Sequence, residues 1–256
     1  MYPADLKPPN KRLANLSHIQ DMDDVTKQTV TGHCIKAMIS DPYGHPVFAA
    51  IDMKVGSVMV YDADDQQVLR KIGAGYHEMD SVVFDEQHNF VMAANKPGAC
   101  SIMKHNLKGD HISTFTVEDA SKIYAVACLR ATDWSIVVGD IGTKSIKCLS
   151  LAADQEGNHL LWSYPMDMPR GMCIDGGGNI CVCDFRSNRI TLLSAEGKLI
   201  GHSLTGLSKP QYIAMNHNRL FVIDMGRSTS YRLSVYNLFK TPAKRRHGKA
   251  KPEWQD

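Results

Sequence analysis

Residues Pro169-Arg170-Gly171-Met172-Cys173-Ile174-Asp175-Gly176-Gly177-Gly178-Asn179-Ile180-Cys181-Val182-Cys183-Asp184-Phe185-Arg186-Ser187-Asn188-Arg189-Ile190 hold two apolar runs separated by a turn. The runs, Gly171 to Ile174 and Ile180 to Asp184, are too short for helices and suit strands. The turn, Asp175 to Asn179, consists of residues that tolerate positive φ or bond their own backbone, as a hairpin requires. Past Asp184 a second turn leads to a third run, Arg189 to Leu193. The expectation is an antiparallel meander of short strands.

Working outward, the same pattern recurs. A run of small or β-branched apolar residues ends in Asp or Asn at Asp52, Asn95, Asp140, Asp184 and Asp224, with spacings of 40 to 45 residues. About ten residues before each lies another apolar run: Ile35 to Ile39, Ser81 to Phe84, Ile123 to Leu129, Gly171 to Ile174 and Tyr212 to Met215. After each comes a third run, from Ser57 to Tyr61 in the first unit to Arg232 to Tyr236 in the last. A fourth is visible at Val68 to Ile72, His111 to Val117, His159 to Tyr164 and Leu199 to Leu204. Four short strands per repeat without a helical rhythm predict an all-β β-propeller.

Residues 169–190 resemble an NHL repeat, in which a Pro-x-Gly opening, an Asp-x-x-Gly turn, a Val-x-Asp strand end and an Asn-Arg pair follow in this order. Pro210 to Asp224 repeats the first half, and the other units match in hydrophobic rhythm and strand-end acid or amide. The resemblance covers residues 31–239 and implies a six-bladed ring, whereas the sequence shows five clear four-stranded units. The N-terminal segment, residues 1–30, supplies two further candidate strands, Arg12 to Ile19 and one from Val25 that runs on to Thr31, as a partial blade that would close the ring. Residues 240–256 form a basic tail, expected to be disordered: six bases against two acids give it +4, so the rest of the chain carries −2 of the overall +2.

In a propeller, the turns between second and third strands share a rim with the links between blades. Each such turn carries a base: Lys54, Lys96, Lys144, Arg186 and Arg227. The links add Lys36, His77, Lys122, Arg170 and Lys209, with Glu78, Asp80, Glu118, Asp119 and Asp167 among them. The opposite rim collects acids, including Asp41, Asp62, Asp85, Asp110, Asp175 and Glu196. The candidate binding surface is therefore a basic rim: Lys54, Lys96, Lys144, Arg170, Arg186, Lys209 and Arg227. Such a rim attracts an acidic protein segment or RNA phosphates. The bland alternative is that each strand-end Asp caps backbone N–H groups or pairs with the base beside it.

Catalytic constellations are scarce. Cys173, Cys181 and Cys183 share one hairpin but lack the spacing of paired zinc ligands, so they read as packed core thiols. Gly176-Gly177-Gly178 is followed by a strand, not by the helix of a phosphate loop. No cofactor or metal is expected. Seven cysteines without a secretory leader read as reduced thiols of a cytoplasmic protein, and Lys244 to Lys251 resembles a nuclear-targeting run. No apolar stretch is long enough to span a membrane, and no small-molecule substrate is evident.

NHL propellers stand at the C-terminus of tripartite-motif proteins, where the propeller chooses the target and a RING finger supplies ubiquitin-ligase activity. The resemblance therefore implies a non-catalytic module that binds a protein target, without RING or B-box ligands in this chain. RNA binding through the basic rim is the first alternative, with Phe185, Tyr43 and Tyr212 as candidate anchors for a protein instead. A metal-dependent lactonase of the six-bladed kind is the second, since those enzymes hold a metal with channel carboxylates and Asn.

Overall fold

The computed structural model describes residues 33–40, 46–52, 56–62, 67–72, 78–129, 135–150, 159–204, 207–216, 219–225 and 231–237. Five antiparallel meanders follow one another along the chain. Blade one comprises β1 (His33–Ser40), β2 (Pro46–Asp52), β3 (Ser57–Asp62) and β4 (Val68–Ile72). Blade two comprises β5 (Glu78–Phe84), β6 (Phe90–Lys96), β7 (Ala99–His105) and β8 (His111–Val117). Blade three comprises β9 (Ile123–Cys128), β10 (Ser135–Asp140), β11 (Ser145–Ser150) and β12 (His159–Pro165). Blade four comprises β13 (Pro169–Ile174), β14 (Ile180–Asp184), β15 (Arg189–Leu193) and β16 (Leu199–Ser203). Blade five has three described strands, β17 (Pro210–Asn216), β18 (Arg219–Met225) and β19 (Tyr231–Asn237). The chain is an all-β propeller. The expected N-terminal strands and the basic tail lie outside the described residues.

Burial falls from the second strand outward, which accounts for the changing run patterns. Strands β10 and β14 are buried at every position because a blade packs on both sides of them. The outermost strand keeps less cover. Thus β8 is buried at Val117 alone, and Leu160, Leu161, Leu199 and Ile200 are all exposed on β12 and β16.

The core is divided between the blade interfaces. Ile51 and Val58 of blade one meet Met79, Phe90 and Met92 of blade two. Ala93 and Ile102 then meet Val126, Ile136 and Val138 of blade three. Val137 and Ile146 on the other face of that blade meet Met172, Val182 and Leu193 of blade four. Cys181, Cys183 and Ile190 finally meet Ile213, Leu220 and Val222 of blade five. Each interface owns its own cluster, as stacked repeats require.

The first strands β1, β5, β9, β13 and β17 touch in chain order and surround the centre. Gly171 permits a close approach of β13 to β17. A Cβ there would lie 2.8 Å from the Gln211 carbonyl oxygen and from the Tyr212 Cα. No helix among the described residues is long and apolar enough to cross a membrane.

Candidate recognition rim

The strand-end acids and amide are occupied by the fold itself. Asp140, fully buried, accepts backbone N–H bonds from Ser121 at 3.1 Å, Lys122 at 2.9 Å and Gly142 at 3.0 Å. The Thr143 hydroxyl adds a 2.6 Å bond, and the Lys147 ammonium lies 3.4 Å away. Burial alone would raise the Asp140 pKa, but the Thr143 hydroxyl and the backbone donors hold it below the usual carboxylate value. Asn95 ties blade two to blade three, accepting from the Ile123 N–H at 2.9 Å and donating to its carbonyl at 2.8 Å. Asp184 and Asp224 accept from the N–H groups of Ser187 and Ser208 and pair with Arg189 and Arg232.

These four residues are links in the scaffold, as the bland reading holds. Lys144 and Arg186, the bases beside Asp140 and Asp184 in their turns, pair with Asp167 instead. Hairpin register places Arg189 opposite Asp184 and Arg232 opposite Asp224 on the third strand.

A second feature repeats on the same rim and is invisible in composition. Every first strand slips register once near its start. Lys36 is skipped between the paired Ile35 and Ala37, Asp80 between Met79 and Ser81, and Tyr124 between Ile123 and Ala125. Gln211 is skipped between Pro210 and Tyr212, and Arg170 with Gly171 fall in the same break on β13. A β-bulge frees its extra residue from the ladder and re-aims the side chain. One such residue per blade stands at the innermost strand, and the five are chemically unlike.

Two of them meet across the seam between blades three and four. The Arg170 guanidinium carbon lies 3.9 Å from the centroid of the Tyr124 ring and 5.1 Å from that of Phe185. The Lys209 ammonium approaches Phe185 at 5.9 Å, which brings blade five into the same group. Arg170 Nε is buried without an acceptor among the described residues.

Outside this stack, Lys144 and Arg186 both reach the Asp167 carboxylate at 3.1 Å, which joins two turns to a link. The Lys209 N–H donates to Asn188 Oδ1 at 2.8 Å, joining the next link to the blade-four turn. Turns and links thus share a rim, as the topology predicts. Lys144 at φ 55° and Lys209 at φ 50° adopt the left-handed conformation that glycine takes more cheaply, a kind of strain that gathers at functional sites.

Of the seven cations read as a basic rim, Arg170, Arg186, Lys144 and Lys209 are brought together here. Lys96 is exposed on blade two, with an interaction of its own. Lys54 and Arg227 lie outside the described residues, as does Tyr43. Tyr124 escaped the sequence reading because it sits in an apolar run where nothing marks a bulge. Phe185, a candidate anchor in the sequence, lies within this group.

Beneath the bulges lies a central cavity of about 300 Å³, walled by Val82, Tyr124, Met172, Tyr212, Ile213 and other largely apolar residues. Tyr212 and Tyr124 both stand in this wall and both are half-buried. Asp80 is the one carboxylate lining it among the described residues, and it accepts a bond from Asn95 at 3.4 Å. No group of three or more His, Cys, Asp or Glu suited to a metal occurs among the described residues. Cys181 and Cys183 are packed between blades four and five. Burial pushes the Cys183 thiol well above its ordinary pKa and that of Cys148 up to about 12.

The NHL repeat family model matches residues 166–191, the segment holding Asp167, Arg170, Phe185 and Arg186. No curated protein matches the sequence. Among solved structures, a gluconolactonase from Xanthomonas campestris superposes with a TM-score of 0.59 at 14% identity, over 79% of this chain and 72% of that one. The Cps50 (Swd1) β-propeller domain of Myceliophteria thermophila gives 0.58 at 14%, over 77% and 64%. A chain of a nidogen/laminin complex gives 0.59 at 13%, over 75% and 73%. At such identities the likeness shows the β-propeller fold alone.

Proposed function

We propose that this propeller is a non-catalytic recognition module that binds a protein target on the rim of blades three to five. The observation that carries the reading is the Tyr124–Arg170–Phe185 stack, two aromatic rings about a guanidinium, assembled from two blades. Aromatic and Arg side chains held rigid beside a recess are the groups that dominate protein interfaces. The match to an NHL repeat over the same segment supports a role like that of the target-choosing propeller of tripartite-motif ubiquitin ligases.

RNA is the second reading. Lys144, Arg170, Arg186 and Lys209 are grouped next to rings on which bases stack, the combination used for single strands. A photo-crosslinking residue at exposed Ser187, activated in cell extract, separates the two readings. The expected adduct is sensitive to protease and resistant to ribonuclease. An adduct shifted by ribonuclease would overturn the protein reading in favour of RNA, and the absence of any adduct would remove the rim from both.

A further inference from the structure

We propose that the target of this rim is a polypeptide segment that carries an Asp or Glu, whose carboxylate docks on Arg170 beside Tyr124 and Phe185. The inference rests on the protein-recognition reading above and gives its ligand a chemistry.

Three observations lead to it. First, the two rings occupy the neighbourhood of the guanidinium at 3.9 and 5.1 Å, so the group is held in place and offers a ligand its N–H donors. A planar fork of donors matches a carboxylate in two parallel bonds. Second, Arg170 Nε is buried with no acceptor, and no carboxylate pairs with Arg170 among the described residues. The fold thus leaves the guanidinium charge without an acceptor at Nε, and a carboxylate on the outer N–H groups offsets it. Third, the same rim already holds a carboxylate from within the chain. Asp167 is gripped by Lys144 and Arg186 at 3.1 Å each, on side chains that remain largely exposed. It shows what chemistry the neighbouring surface accepts.

The same arrangement favours a discrete carboxylate over a polyphosphate. Nucleic acid gains affinity by neutralising many phosphates with unengaged cations. Here two of the four grouped cations are clamped on Asp167, and Glu118 and Asp119 stand exposed on the link before β9. A phosphate chain would have to pass these carboxylates, whereas a single acidic side chain at Arg170 would not.

The test uses the full chain to select short random peptides by display, with affinities of the selected peptides then measured in solution. The expected peptides carry Asp or Glu. Their binding falls about tenfold or more with Arg170→Gln and equally when the peptide acid becomes its amide, and the two losses do not add. Arg170→Lys, which keeps the charge but not the planar fork, binds at an intermediate level. Asp167→Asn releases two cations beside the site and tightens binding about two- to fivefold. A single cooperative melting transition shows that each variant is folded.

Selected peptides without acids, or acidic peptides indifferent to Arg170→Gln, would overturn this inference and leave protein recognition standing. No selected peptide, together with salt-sensitive binding of single-stranded RNA, would overturn both.

Discussion

Two sets of residues repeat around the same rim and teach opposite lessons. The strand-end set, Asn95, Asp140, Asp184 and Asp224, repeats nearly the same chemistry in each blade and spends it inward on backbone N–H groups and cross-strand bases. The bulge set, Lys36, Asp80, Tyr124, Arg170 and Gln211, repeats a backbone geometry while changing the side chain every time. Uniform chemistry marks what every blade needs in order to stand. Uniform geometry with varied chemistry marks where the blades differ: Asp80 and Gln211 are buried, whereas Tyr124 and Arg170 meet in the stack.

Substitutions in the two sets therefore have different costs. The largest effect is expected from Asp140→Ala, which strands several buried donors and the Lys147 ammonium. A loss of about 3 kcal/mol or more in denaturant unfolding follows from such removals. A bulge-set variant, Arg170→Gln, should cost no more than about 1 kcal/mol, the scale of a partly exposed cation–π contact. Equal losses for the two would erase the distinction.

Next in size is Gly171→Ala, which tests whether the bulge geometry itself matters. Its Cβ meets backbone atoms of β17, which cannot swing aside as a side chain would. We expect a loss of about 1–3 kcal/mol, the usual range for overpacking, together with weakened target binding because Arg170 is displaced. Binding that survives this substitution unchanged would detach recognition from the bulges.

The pH dependence sharpens the strand-end half. Burial raises the pKa of Asp85 and Asp140, but hydrogen bonds outweigh it in both, from Lys104 and Asn89 at Asp85 and from Thr143 and the backbone at Asp140. A carboxylate depressed in the folded state stabilises the fold above its unfolded pKa, about 3.9 for Asp. That contribution is lost as the pH falls through the lower folded value. The melting temperature should drop steeply below about pH 4 and less steeply in Asp140→Asn. Identical acid profiles would mean that Asp140 is not the coupling it looks to be.

The smallest effect belongs to Lys144→Ala. Its pair with Asp167 is exposed and Arg186 still holds that carboxylate, so stability should change by no more than about 0.5 kcal/mol in thermal or denaturant unfolding.

Much of this was legible in the sequence, and the boundary is physical. Continuous apolar runs such as Val137 to Asp140 announce strands covered on both faces, and β10 is buried throughout. The Asp175-Gly176-Gly177-Gly178-Asn179 turn closes as its residues suggest, with Asp175 accepting from the N–H groups of Gly177 and Asn179. The shared rim of turns and links follows from topology alone, and Asp167 with Lys144 and Arg186 realises it. Which base meets which acid did not follow, because cross-strand register and the approach of adjacent blades decide it. The bulges could not be read either, since a slipped ladder leaves no residue type behind. Tyr124 is the instance: it stands between Ile123 and Ala125 like any strand residue, and only the pairing of those neighbours with Asp140 and Gly139 exposes it.

The partition of the core among the blade interfaces bears on how the chain is made. A polypeptide leaves the ribosome from its N-terminal end, and in this fold chain order is ring order. Once blade two has emerged, Phe90 and Met92 find the apolar face of blade one already waiting. The opposite face, with Ala93 and Ile102, is then ready for blade three. Each of these four interfaces therefore joins a blade to the one translated just before it, and none of them draws on residues not yet translated.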